Sequence, residues 1–186
     1  MSCQKRCLYR TYLAGPMQNV AYSGAGWRQR LGILLEHLRI RVQDPVKSES
    51  AKTGLRPART KVRLKMLTAL AIHGDKEAEK KFRRMIKKVV KADFSCVHSS
   101  HFIIATVIEN VVSIGTTAEI IEAARKKIPI YVLYLGRIEN FPHWMLYYIF
   151  HSQGKIFPMK HKRDFLGLID FLKTKFALRR LENEHS

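Results

Sequence analysis

The chain has 186 residues, 34 Lys and Arg against 15 Asp and Glu, and a formal net charge of +19. That length points to one domain, and 46% hydrophobic residues can fill a packed core, which excludes a wholly disordered chain. Three cysteines exclude a disulfide framework, and the longest apolar stretch, 102–108, is far shorter than the roughly 20 residues of a membrane-spanning helix.

Leu8-Tyr-Arg-Thr-Tyr-Leu-Ala14 reads as a short β-prone strand ended by Gly15-Pro16. Lys5, Arg6 and Arg10 lie where a secretory signal would be apolar, so a cytoplasmic protein with no membrane partner is expected. A glycine-bearing loop follows, with Ser23-Gly-Ala-Gly26. Trp27, Leu31, Leu34, Leu35 and Leu38 then have helical spacing. Ile40-Arg-Val42 is a second short strand, ended by Asp44-Pro45.

The basic surplus is concentrated in the next segment. Residues 47–92 carry 15 basic and 4 acidic side chains, whereas residues 93–159 carry 5 of each. Ser48, Ser50, Thr53, Gly54 and Pro57 make 47–65 an exposed loop or lid, and 64–72 suits a short helix. Lys76 to Val90 is a clearer helix, with Phe82, Ile86, Val89 and Val90 on one side and cations on the other. Asp93 is expected to close it. Such a charge run is a solvated face, a steering surface for a phosphorylated substrate, or a nucleic-acid contact. Phe82 is the sole aromatic among these cations, which argues against a base-stacking platform.

Residues 101–107 form a near-continuous apolar run, suited to a strand buried on both faces of a parallel sheet. Ser113 to Thr117 reads as a turn, Ala118 to Lys127 as a helix, and Pro129 to Tyr134 as another buried strand. An aromatic segment, Phe141 to Ile149, a short strand at Lys155–Phe157 and a C-terminal helix within 165–180 complete the order. Alternating strands and helices imply an α/β fold. The expected architecture is a single domain over 1–186, with an open, mostly parallel sheet of Rossmann or flavodoxin-like order. Helices cover both faces, and 47–92 forms a basic loop–helix insertion. Ligands of such folds bind beyond the carboxyl ends of strands. That directs attention to the segments 15–26, 109–119 and 136–143.

Three of these features carry a resemblance. Tyr12-Leu-Ala-Gly-Pro-Met17, Asp93 and Ser113-Ile-Gly-Thr-Thr-Ala-Glu119 follow one another within residues 8–150. Together they resemble the nucleoside 2-deoxyribosyltransferase-like superfamily, which includes deoxyribosyltransferases and nucleoside 5′-monophosphate N-glycosidases. The resemblance implies retaining cleavage of an N-glycosidic bond through a glycosyl ester, without metal or organic cofactor. It places Glu119 at the nucleophile position, where a helix start would favour an ionised carboxylate. It makes Asp93 the acid on the base side and Tyr12 the residue that orients the carboxylate or sugar.

Ser113 is a departure that narrows the substrate. Transferases acting on free nucleosides have an aspartate here, whereas monophosphate glycosidases have a phosphate-binding serine. A hydroxyl beside helix-terminal N–H groups attracts a phosphate dianion that an aspartate would repel. Ser113, Gly115 and Thr116 are therefore the expected phosphate cradle, with Gly15 at the first strand end. Pro16 is a second departure, because the 2′-deoxynucleotide glycosidase has a phosphate-binding serine there. Ser23 or Arg28 is expected to supply that contact instead. His143 falls where the family reaches a neighbouring subunit's sugar phosphate, which would require a homodimer or higher homo-oligomer.

The expected substrate is thus a nucleoside 5′-monophosphate, with the sugar phosphate passing to water or to another base. The alternatives are a deoxyribosyltransferase acting on free nucleosides and a non-catalytic nucleotide- or nucleic-acid-binding protein that uses 47–92.

Overall fold

The computed structural model describes residues 8–16, 25–45, 57–161 and 164–184; the side chains of 57, 58, 61 and 177–184 are outside the description. Ser23 and the first part, 47–56, of the loop expected over 47–65 fall outside it too, and the rest of that segment is helical. Among the described residues five strands form one sheet: β1 (Tyr9–Ala14), β2 (Ile40–Gln43), β3 (Phe102–Ile108), β4 (Ile130–Leu135) and β5 (Lys155–Pro158). Every pairing is parallel and the order is β2-β1-β3-β4-β5. That is the flavodoxin-like order, in which the direction of strand addition reverses between β1 and β3 while the strands stay parallel.

Among the described residues six α-helices connect and cover the sheet: α1 (Ala25–His37), α2 (Pro57–Ile72), α3 (Lys76–His98), α4 (Ile114–Arg125), α5 (His143–His151) and α6 (Leu166–Glu184). Alternation along the strands divides the core in two. Leu13, Ile104, Tyr131 and Leu133 pack with Leu31 and Leu35 of α1 and with Leu168 and Leu172 of α6. Tyr12, Ile103, Ala105 and Val132 pack on the opposite face with Val97 of α3, Ile120 and Ala123 of α4 and Ile149 of α5. The apolar runs on β3 and β4 are buried on both faces, as their sequence implies.

Three helix boundaries differ from expectation. α2 begins at Pro57 rather than Leu64, because a proline fits the first helical position, where its missing N–H leaves no bond unmade. Asp93 does not end α3. The helix continues five residues to His98, and its inward spacing of half-buried or buried residues runs through Val89, Asp93, Cys96 and Val97. Its real punctuation is at the start, where Asp75 accepts from the Ala78 N–H at 2.9 Å. α4 begins at Ile114, within the expected turn. Among the described residues no helix is long and apolar enough to cross a membrane.

Candidate active site

The carboxyl ends of β1 and β3 meet at the reversal point of the sheet. The first of these ends is held open by Gly15. A β-carbon there would lie 2.7 Å from Cζ2 of Trp27, too close for the ring to remain in place. α1 can therefore approach the strand end closely. That approach brings Arg28 into the interior, where it is 1% exposed. Its Nη2 donates to the Gly15 carbonyl at 2.8 Å, its Nε donates to the Leu13 carbonyl at 3.4 Å, and Asp44 lies 3.8 Å away. Trp27 stacks against the guanidinium at 4.7 Å. The expected phosphate contact thus falls on a guanidinium buried among carbonyls and a carboxylate, where it organises the strand end. Burial lowers its pKa, opposed first by Asp44 and then by Tyr12, Glu119 and Asp93.

Those last three groups form the centre of the site. Tyr12 is fully buried on the α4 side of β1. Its hydroxyl donates to Oε1 of Glu119 at 2.6 Å. Burial raises its pKa well above the ordinary value, and the negative charges of Glu119 and Asp93 raise it further. The phenol is therefore a fixed hydrogen-bond donor toward a half-exposed carboxylate. Because α4 starts at Ile114, Glu119 lies in its second turn rather than its first. The helix dipole falls off within the first turn, so the Tyr12 hydrogen bond is the nearer source of anion stabilisation. Asp93 reaches the same hydroxyl electrostatically from α3. One further contact ties the two helices that carry the carboxylates: His98 of α3 lies 2.7 Å from Glu122 of α4.

Ser113 occupies the position just before α4, with an extended backbone and no side-chain bond to the helix N–H groups. Its Oγ lies 2.7 Å from Oγ1 of the buried Thr116. A β-carbon on Gly115 would meet open space. Two hydroxyls thus meet at the start of α4, where the leading N–H groups have no partner within the helix, an arrangement suited to an anion. His143 is exposed at the start of α5, and no described contact joins it to Tyr12, Glu119 or Asp93.

Two further carboxylates are tied down at strand ends. Asp44 pairs with Arg28, and the only sequence signal was its position at the end of β2. Glu109, just past β3, accepts from the Arg137 N–H at 2.8 Å and from Asn140 Nδ2 at 2.5 Å, bonds that hold its pKa below the ordinary range. Gly136 must stay small beneath this tie, since a β-carbon would come 2.6 Å from Glu109 Cβ. An apolar groove of about 360 Å³ lies elsewhere, lined by Phe141, Leu146, Phe150 and Ile156 among others, without either carboxylate. Among the described residues no three His, Cys, Asp or Glu side chains converge on a metal position.

No family model and no curated protein matches the sequence. Solved structures do match the fold. A CMP N-glycosidase of Clostridium botulinum, BcmB, superposes with a TM-score of 0.54 at 16% identity, covering 87% of this chain and 98% of that one. A 2-deoxyribosyltransferase of Bacillus psychrosaccharolyticus gives a TM-score of 0.43 at 15% identity, covering 67% and 72% of the two chains. The chain thus shares the fold of a CMP N-glycosidase over nearly the whole length of both proteins.

Proposed function

We propose that the protein cleaves the N-glycosidic bond of a nucleoside 5′-monophosphate through a glycosyl ester on Glu119. The observation that carries this reading is the 2.6 Å hydrogen bond from buried Tyr12 to Glu119, at the reversal point of a sheet that superposes on a CMP N-glycosidase.

In the first step a Glu119 carboxylate oxygen attacks C1′. The bond from C1′ to the base nitrogen breaks, and its electron pair leaves with the base. On this reading Asp93 gives its proton to that nitrogen as the bond breaks. Tyr12 holds the carboxylate for attack and, being held protonated by its surroundings, does not ionise during the reaction. In the second step water attacks C1′ and gives a proton to the Asp93 carboxylate, the ester C1′–O bond breaks with its electron pair returning to Glu119, and free sugar phosphate leaves. A second base in place of water gives base exchange with the same residues.

Ser113 and Thr116, with the α4 N–H groups and the open side at Gly115, receive the 5′-phosphate. Arg28 supports the β1 end from inside rather than touching substrate. A homo-oligomer in which His143 reaches the neighbouring copy's sugar phosphate belongs to the same reading.

The test is a panel of nucleosides and their 5′-monophosphates, with released base measured by chromatography. Base release from a monophosphate that disappears in Glu119→Ala is expected. Release from free nucleosides alone would reject the phosphate reading, and undiminished turnover by Glu119→Ala would reject the nucleophile.

A further inference from the structure

The long helix α3 has two faces of opposite character. Ala78 and Val97 are buried, and Phe82, Met85, Ile86, Val89 and Asp93 are half-buried. At about 100° per residue these fall on one side, toward α2 and the sheet. The centre of the opposite side is a row of four cations, Lys80, Arg84, Lys87 and Lys91, all exposed. Lys76 and Arg83 flank the row on one side, Lys81 and Lys88 on the other, and all are exposed. Of the two acids in the first turn, Glu77 falls on this outer face, while Glu79 lies beside the inner one and is engaged by Arg83 at 2.8 Å.

This geometry separates the row from the carboxylate site. Asp93 lies on the inner side of α3, where its charge acts on Tyr12, roughly half a turn around the helix from Lys91. The row therefore cannot close on a mononucleotide held at Glu119. It is also longer than one phosphate requires. From residue 80 to 91 the helix rises about 16 Å, against which a duplex presents on the order of ten phosphate charges. A lipid surface fits less well. An interfacial helix inserts an apolar face, whereas the apolar side of α3 is turned inward. Among its described residues Val90 alone is an exposed large apolar side chain.

We propose that the outer face of α3 binds the phosphodiester backbone of double-stranded nucleic acid, independently of the Glu119 site. Recognition is through charge and spacing, without base readout, since no exposed aromatic or amide side chain lies on this row.

The experiment uses the full chain and a fluorescently labelled 20-base-pair duplex, followed by anisotropy across a salt series. Four phosphate contacts imply a slope of log K against log salt of about −3.6, so affinity falls about 150-fold between 50 and 200 mM salt. Replacing Lys80, Arg84, Lys87 and Lys91 by Gln should remove most of that slope while the melting temperature is retained. A control replaces Arg125, Lys126, Lys155 and Lys160 by Gln; these are exposed cations elsewhere on the molecule. It removes the same charge and should keep the parent slope. An equal loss in the control would show that net charge alone is responsible and overturn the proposal. So would a parent slope shallower than about −1, or binding to phosphatidylserine vesicles in preference to the duplex.

Discussion

Tyr12→Phe removes one oxygen and leaves the buried ring in place. The lost bond is a 2.6 Å donation from a fully buried phenol to the Glu119 carboxylate. Hydrogen bonds to charged groups contribute about 1.5–3 kcal/mol, which corresponds to roughly 10- to 160-fold in rate if the bond persists to the transition state. Glu119 is half-exposed, so water can take the vacated place and the fold should lose little stability. The two effects therefore separate. Base release from the preferred monophosphate should show kcat/KM lowered by one to two orders of magnitude, with the melting temperature nearly unchanged. The parent should show no loss of activity from Tyr12 ionisation below pH 10, because burial and two carboxylates hold the phenol protonated beyond its ordinary value. A kcat/KM within about twofold of the parent would refute the reasoning, because the hydrogen bond would then contribute nothing to the reaction.

Other perturbations address the supports of the site. Asp44→Asn leaves the Arg28 charge buried without its acid; breaking such a pair costs about 3–5 kcal/mol, or a fall of roughly 6–20 °C in melting temperature for a chain of this size. Gly15→Ala drives a β-carbon to 2.7 Å from the Trp27 ring, and overpacking of about 1–3 kcal/mol should appear in chemical denaturation. Ser113→Asp should lower kcat/KM for the monophosphate by about 100-fold and affect the free nucleoside much less, from repulsion of the phosphate dianion. Equal losses on both substrates would place Ser113 outside the phosphate site. In alkali, the folded chain keeps Tyr12 protonated while the unfolded chain ionises near its ordinary value, so stability is full below that pH and falls as pH rises above about 10. Tyr12→Phe should flatten that fall in a pH series of melting temperatures.

The strands were legible because burial on two faces writes an unbroken apolar run, as at 102–108 and 130–135. The helix ends were less so. Pro57 and Asp93 look like punctuation in a sequence, yet one is accommodated at a helix start and the other is carried on the inner side of a continuing helix. Arg28 shows a further limit. An arginine near a glycine-rich loop reads as a surface cation, and only the approach of α1 to Gly15 reveals that it is internal. Tyr12 and Glu119 are 107 residues apart, and nothing local in either segment announces their hydrogen bond. The resemblance supplied that pairing as an expectation, and the parallel register of β1 with β3 supplies the geometry that brings the two segments together.

The glycosyl ester on Glu119 is the central claim, and trapping it is the most direct test. A 2′-fluoro nucleoside monophosphate should slow the second step more than the first, since the fluorine destabilises the oxocarbenium-like transition state while a good leaving base maintains ester formation. Intact-protein mass spectrometry should then show a single added sugar phosphate, located by proteolysis in the peptide containing Glu119 and absent from Glu119→Ala. An adduct on another residue, or undiminished base release by Glu119→Ala, would contradict the account.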